Sequence, residues 1–427
     1  MLRLKQALGA YILASTLLST IVAQATTYYV ATTGNNTNPG TEDQPWRTIG
    51  KAVDAMVAGD TAYVRGGTYS TETAIQFRRS GTATAPIKLL NHPGERPVID
   101  WIDQRIGQTV LVQHSSGQNR AMGYITIEGF EIKNGYDGIK FYSMHNSVIS
   151  RNWIHHNRNQ GIVSGGGHHI LFDRNIINHN GDFAYCARGG RARDGSTTCN
   201  KTHGIYVFGQ SYTITNNLIY DNLGYGIQQN GSATSFYNAS KLPSPDFAGA
   251  SDWIIANNVL AYQNYRSGIV IWGSLCNNAR IENNIFYENS QEVSFPQGVS
   301  FTATSCTGVQ IRNNLAYATS PGGTAFLGSG ANEWVHYTQS GNRVNISKPE
   351  FVNAPATLPA SPNFALTAQS PAIDAGLPLA TVKIDFTGTP RPQGRAPDIG
   401  AYEYTASGDV EPPTTPVTLG VNQNSLH

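Results

Sequence analysis

Lys140, His203 and Tyr206 are the side chains of this sequence best suited to proton transfer. An amine or an imidazole can take a proton, and a phenol or an imidazole can give one. Arg188, Arg191 and Arg193 crowd one segment of a chain in which charged residues make up only 13%. A guanidinium grips a carboxylate bidentately, so this cluster suits a carboxylate-bearing polymer; the blander reading is a solvated basic loop. Further histidines, His155, His156, His168, His169 and His179, gather nearby. Three of them precede Asn157 and Asn180 and fit a repeated turn, and no spacing among them specifies a zinc site. Asp137, Asp182, Asp194 and Asp221 are the carboxylates that a hydrolytic pair would draw on.

Such residues need a scaffold, and the middle of the chain repeats itself. One unit is Gly followed by Ile or Val in an alternating strand, at Gly138, Gly161, Gly204, Gly226, Gly268 and Gly298. A second is Asn followed by two mostly apolar residues, at Asn152, Asn175, Asn217, Asn258, Asn284 and Asn314, with intervals of 23, 42, 41, 26 and 30. Taking about twenty residues out of the two long intervals leaves one coil of a parallel β-solenoid each time. A third row runs Asn157, Asn180, Asn222, Asn264 and Asn289. Stacked amides in successive coils can bond to one another and to the backbone, so both rows read as internal ladders.

Alternation places Ile139, Ile162, Ile205, Ile227 and Ile269 inward and Lys140, Val163, Tyr206, Gln228, Val270 and Ser300 outward. Two positions on, the outward row reads Tyr142, Gly165, Phe208, Asn230, Trp272 and Thr302. Tyr142, Phe208, Gln228, Asn230 and Trp272 thus form a candidate sugar-binding platform. Loop inserts near 182–202 and 231–251 flank the same strand face and can wall a cleft, since loops on a rigid frame commonly carry function.

Composition sets the class. With 29 Lys+Arg against 28 Asp+Glu the net charge is +1, which excludes a nucleic-acid binder held by a basic field. Residues 1–25 have a positive start, an apolar stretch and an Ala23-Gln24-Ala25 cleavage pattern, the form of a secretory signal peptide. No later segment has the ~18 consecutive apolar residues of a spanning helix. The expected product is therefore secreted, extracellular or periplasmic, and monomeric. Four cysteines suit an oxidising compartment and allow three connectivities; the expected pairs are Cys186–Cys199 and Cys276–Cys306. Thr26–Val30 reads as a first strand and Trp46–Val53 as a capping helix over the open core. Ser370–Gly376 and Asp398–Glu403 are expected to close the array, so 26–404 forms one solenoid domain and 405–427 a polar, Pro-rich tail.

At Tyr28-Tyr29-Val30-Ala31-Thr32-Thr33-Gly34-Asn35, Gly59-Asp60-Thr61, Arg65-Gly66-Gly67-Thr68-Tyr69, Asp374-Ala375-Gly376 and Asp398-Ile399-Gly400, the chain resembles the secreted right-handed parallel β-helix proteins of the pectin lyase-like superfamily. That group includes pectate and alginate lyases, chondroitinase B-like lyases and mannuronan epimerases. The resemblance implies an all-β, right-handed parallel β-helix with an N-terminal capping helix, and a polysaccharide as partner. The adjacent Asp-Asp of calcium-dependent pectate lyases does not occur on these strands. Where the epimerases carry Asp-Pro-His-Asp, this chain reads Tyr136-Asp137-Gly138-Ile139-Lys140. The implied chemistry is β-elimination from an acidic polysaccharide. Arg188, Arg191 or Ca²⁺ would neutralise the uronate carboxylate, Lys140 or His203 would take the C5 proton, and Tyr206 or His203 would protonate the departing O4. A glycoside hydrolase and a non-catalytic carbohydrate-binding protein are the alternatives on the same scaffold.

Overall fold

The computed structural model describes residues 25–102, 108–112, 121–187, 201–231, 251–273, 276–291, 296–303, 306–319, 325–329 and 335–406. The signal segment, Arg188, Arg191, Arg193, Asp194, Cys199, most of both inserts and most of the tail lie outside them.

Three parallel sheets form the sides of a solenoid. One coil passes through Ile125–Glu128 in sheet A, Glu131–Lys133 in sheet B and Asp137–Phe141 in sheet C, then re-enters sheet A at Met144–Ser150. Among the described residues the sheets hold 12, 10 and 9 strands. Ile139, Ile162, Ile205, Ile227 and Ile269 stand in register on sheet C and are fully buried, as their alternation requires.

The corner between sheets A and B explains the Asn spacing. Arg151, Arg174, Asn216, Asn257, Asn283 and Asn313 each adopt a left-handed conformation, with φ between 50° and 54°. That sharp bend turns the next residue inward, and the next residue is always a ladder Asn. The ladder Asn152–Asn175–Asn217–Asn258–Asn284–Asn314 runs on to Asn342, each amide nitrogen donating to the following Oδ1 at 2.9–3.2 Å. Each Oδ1 also accepts the backbone N–H of the preceding rung, for example Asn175 N–H onto Asn217 at 2.9 Å.

The second ladder departs from expectation at one rung. Asn157, Asn180 and Asn222 are stacked, but the next member is Gln263, whose Oε1 accepts from Asn222 N–H at 3.1 Å and whose own N–H donates to Asn289 Oδ1. Asn264 instead donates to Asp221 at 3.1 Å. Both ladders share one coil, so their members keep a constant five-residue offset, 217/222 and 258/263, and that geometry outranks the residue type.

The repeated glycines have a steric cause. A Cβ on Gly161 would sit 2.6 Å from the Gly204 carbonyl oxygen, and one on Gly204 2.7 Å from that of Gly226. Only hydrogen fits where successive coils approach this closely.

At the N-terminus the helix Ile49–Ala55 buries Ile49, Ala52 and Val53, and the Thr48 side chain accepts from Lys51 N–H as its N-cap. It caps the first coils as expected, after the opening strand Thr27–Val30. The C-terminal segment does something else. Rather than closing the end of the array, residues 351–404 run along its flank and cover the outer face of sheet B, where Phe351, Phe364, Ile399 and Tyr402 pack on Leu218, Tyr220, Val259, Tyr287 and Leu315. The sheet B strands Leu218–Tyr220, Val259–Ala261 and Ile285–Tyr287 are apolar at every position, which leaves a second face needing cover. Arg391, paired with Glu403 at 2.7 Å and 3.4 Å from Asn216 Oδ1, helps fasten this segment.

Cys276 and Cys306 form the expected disulfide, with Cα atoms 4.7 Å apart. The Cys186–Cys199 pairing falls outside the described residues. No described helix is long and apolar enough to cross a membrane.

Candidate functional site

The outer face of sheet C gathers the residues picked out by their chemistry. Pairing registers put Lys140 beside Val163, Val163 beside Tyr206, Tyr206 beside Gln228 and Gln228 beside Val270. Phe208, Asn230, Trp272 and Thr302 form the parallel row. Coil spacing of ~4.8 Å sets Lys140 and Tyr206 about 10 Å apart.

This face is less open than an exposed platform. Val163, Phe208, Gln228, Asn230, Val270 and Ser300 are buried, Lys140 and Tyr206 are half-buried, and Trp272 is 44% exposed. Tyr142 is half-buried, and the Lys140 ammonium lies 5.6 Å from its ring centroid.

Asp137 begins and Lys140 nearly ends the strand Asp137–Phe141, and their charged groups are 3.6 Å apart. Burial by itself pulls the Lys140 ammonium toward its neutral form, but the Asp137 carboxylate and Tyr142 outweigh it and raise its pKa. Asp137 is buried, and desolvation raises its pKa against the opposing pull of Lys140. Its Oδ1 accepts from Asn159 Nδ2 at 2.8 Å and from Gln160 N–H at 3.3 Å. Burial alone would draw the two affinities together, but the carboxylate beside Lys140 keeps the proton on the ammonium.

The Tyr206 hydroxyl accepts from Asn230 Nδ2 at 3.0 Å, so its own proton is what it has to give. Burial raises its pKa and keeps the phenol protonated, with the Asn230 bond acting in the other direction. Its ring lies 5.5 Å from that of His203 in an edge-to-face arrangement.

His203 is buried rather than open to the groove. Its Nδ1 accepts from Tyr225 N–H at 2.9 Å, and its backbone N–H donates to Gln160 Oε1 at 2.5 Å. Desolvation, with Arg266 adding to it, lowers its pKa to about 3. His203 is thus neutral in the fold and wedged between Tyr206 and Tyr225, 5.3 Å from the latter ring. Its ordinary pKa is ~6.5. Between that value and about 3 the unfolded chain carries this proton and the folded chain does not, so stability falls as pH falls through the window. The expected slope from this one group approaches ~1.4 kcal/mol per pH unit. Urea unfolding followed from pH 7 to pH 4 checks it: His203→Asn, whose Oδ1 can accept from Tyr225, should show a shallower acid limb than wild type.

The other candidates lie elsewhere. Asp182 pairs with Arg158 at 2.8 Å and Asp221 with His179 at 2.7 Å, both at the corner between sheets B and C. His156 and His179 take left-handed conformations just before ladder residues, the repeated turn expected of them. His168 is in register with His145 on sheet A and stacks on it at 5.2 Å, away from the sheet C row. No group of three or more His, Cys, Asp or Glu among the described residues is arranged to hold a metal. Asp137, the carboxylate of this face, is already engaged by Lys140, Asn159 and Gln160, a donor set that does not fit Ca²⁺.

Sequence reasoning passed over Asn159, Gln160, Tyr225 and Arg266. The signal was in the register: Gly161 N–H donates to His203 O and Gly204 N–H to Tyr225 O, so Tyr225 repeats the place of His203 one coil on.

Comparison with known proteins bears on the same region. Residues 28–196 match the family described as "Pel9A-like, right handed beta helix region", and residues 194–344 match "Right handed beta helix region". Pectate lyase PEL9 of Emericella nidulans is 38% identical over 109 residues, 26% of this chain and 26% of that protein. Pectate lyase L of Dickeya dadantii is 30% identical over 148 residues, 33% of this chain and 34% of that one. The matches thus span about a quarter to a third of these relatives. The crystal structure of pectate lyase Pel9A superimposes with a TM-score of 0.48 at 18% identity, covering 90% of this chain and 97% of that one.

Proposed function

The chain is a right-handed parallel β-helix protein, Pel9A-like over residues 28–196, and on that premise we propose that it is a lyase cleaving an acidic, uronate-containing polysaccharide by β-elimination. The observation that carries the reading is the common row of Lys140 and Tyr206, an amine and a phenol two coil steps apart, a separation that brackets one sugar. Curated pectate lyases among the relatives support the substrate class.

In this reading a polymer laid along sheet C strips remaining water from the Lys140–Asp137 pair. Low dielectric disfavours separated charge, so the ammonium proton passes to Asp137 and leaves a neutral amine. That amine takes the C5 proton of the sugar. The electron pair forms the C4–C5 double bond, the C4–O4 bond breaks, and the Tyr206 phenol protonates O4. Asn230 keeps the phenol aimed, and His203 acts as a positioning residue behind it. Arg188 or Arg191 from the insert neutralises the carboxylate that acidifies C5. Tyr142 and the exposed Trp272 hold flanking sugars, and the buried Phe208, Gln228 and Asn230 back the row. The signal-peptide pattern of residues 1–25 supports export, and we read the mature protein as a monomer.

The test incubates the mature protein with alginate, polygalacturonate, pectin and glycosaminoglycans, with and without Ca²⁺, and follows the ultraviolet absorbance of an unsaturated uronate. A rise on one of these polymers is expected. No rise on any of them overturns the reading.

A further inference from the structure

The corner between sheets B and C repeats a histidine. His156, His179 and Asp221 follow the strands Trp153–His155, Ile176–Asn178 and Leu218–Tyr220, and all three are left-handed, with φ of 53°, 51° and 52°. His156 N–H donates to His179 O at 3.0 Å and His179 N–H to Asp221 O at 2.9 Å, so the three residues occupy one place on successive coils. The rings of His156 and His179 have centroids 4.5 Å apart. His156 is exposed and His179 half-buried.

Hydrogen bonds fix which nitrogen of each ring carries the proton. His179 Nδ1 lies 2.7 Å from Asp221 Oδ2, and a carboxylate only accepts, so Nδ1 bears the proton and Nε2 the lone pair. His155 Nε2 lies 3.2 Å from Glu131 Oε1, which also accepts from Lys133 at 3.0 Å. Burial would raise the Glu131 pKa, but these two partners outweigh it and lower it. Burial also keeps His155 neutral. It therefore donates from Nε2, and its Nδ1 accepts from His156 Nδ1, 2.6 Å away. That leaves His156, too, with its lone pair on Nε2. Each imidazole is thus set in a metal-ligating tautomer with a carboxylate behind it, directly for His179 and through His155 for His156. With metal–nitrogen bonds of ~2.1 Å, two imidazoles meeting one ion at about a right angle hold their centroids about 4.5 Å apart.

We propose that His156 and His179 bind one divalent transition-metal ion through their Nε2 atoms, with water completing its shell, and so clamp two neighbouring coils. Imidazole ligands suit Cu²⁺ or Zn²⁺ rather than Ca²⁺. Asp221 supplies the charge behind the ion, since Glu131 is matched by Lys133 and Asp182 by Arg158. Phe183 stacks on the face of His179 at 4.2 Å, which steadies the ring without engaging its edge.

The test titrates tag-free protein, first stripped with a chelator, with Cu²⁺ and with Zn²⁺ by calorimetry, and reads bound Cu²⁺ by electron paramagnetic resonance. One ion per chain, coupled to two imidazole nitrogens, is expected. His156→Asn and His179→Asn should each weaken binding at least ~10-fold and leave one coupled nitrogen, and Asp221→Asn should weaken it ~10- to 100-fold with both nitrogens kept. Asn takes the left-handed conformation readily, so these variants keep the corner. His169→Asn, at the apposed His168–His169 pair on sheet A, should change nothing. Equal affinity in wild type and the His156→Asn/His179→Asn double variant means an adventitious ion only and overturns the inference. Wild-type protein that binds no ion, or whose Cu²⁺ couples to fewer than two nitrogens, overturns it without any variant.

Discussion

Lys140→Ala and Tyr206→Phe should each lower turnover of the acidic polymer by about 10²- to 10⁴-fold, the usual contribution of one proton-transfer group. Tyr206→Phe keeps the ring that packs 5.5 Å from His203 and 5.2 Å from Phe208, so its cost falls on the hydroxyl alone. Lys140→Ala leaves Asp137 buried without its cation, and the carboxyl takes up a proton to remain neutral. Lys140→Arg is the sharper variant. It preserves a positive charge beside Asp137 but cannot surrender a proton, because a guanidinium stays charged under all ordinary conditions. If Lys140 is the base, the Arg variant is as inactive as the Ala variant; if it only supplies charge, activity returns. Initial rates from the unsaturated-uronate absorbance, beside near-ultraviolet circular dichroism, read both effects. Wild-type rates in both Lys140→Ala and Tyr206→Phe would sink the assignment.

The largest effect on stability is expected from the middle of the Asn ladder. The Asn217 amide nitrogen donates to Phe172 O at 3.0 Å, Thr215 O at 2.8 Å and Asn258 Oδ1 at 2.9 Å. Its Oδ1 accepts from the Asn175 backbone N–H at 2.9 Å and from the Asn175 side chain at 3.0 Å. All of this is fully buried. Asn217→Leu has similar volume and none of these bonds, so it strands several buried polar groups at about 1–3 kcal/mol each. The expected loss is therefore more than about 3 kcal/mol, read as a lower urea midpoint with an unchanged slope. Asn264→Ala is the control: Asn264 lies outside the ladder, and its contact with Asp221 is partly open to solvent, so its loss should stay near or below ~1 kcal/mol. Equal losses in the two variants would mean that the ladder bonds contribute no more than a surface contact.

The parallel coil was legible because its constraints are local and recur. Each corner needs a tight bend and an amide to satisfy the buried backbone, so Asn returns at coil length. Each close approach of coils needs Gly. The inward Ile row follows from alternation alone. The outer cover of sheet B was missed, although strands such as Leu218-Ile219-Tyr220 are apolar throughout, because reading it requires comparing both faces of one strand. The Gln263 rung needed the constant offset between the two ladders rather than the recurrence of Asn.

The solenoid is written in the residue pattern: its period, its inner ladders, its N-terminal cap and the row that sets Lys140 and Tyr206 on one face. These follow from φ, steric contact and hydrogen-bond demand within a coil or between neighbours. The state of the groups on that face arises from the packed coils. Burial makes His203 neutral, and the 3.6 Å approach of Asp137 overrides the lowering that burial alone would impose on Lys140. Arg266 likewise enters the picture through Tyr225, a residue 41 positions earlier in the chain. Protonation depends on distance, desolvation and neighbouring charge, and these exist only once coils distant in sequence lie side by side.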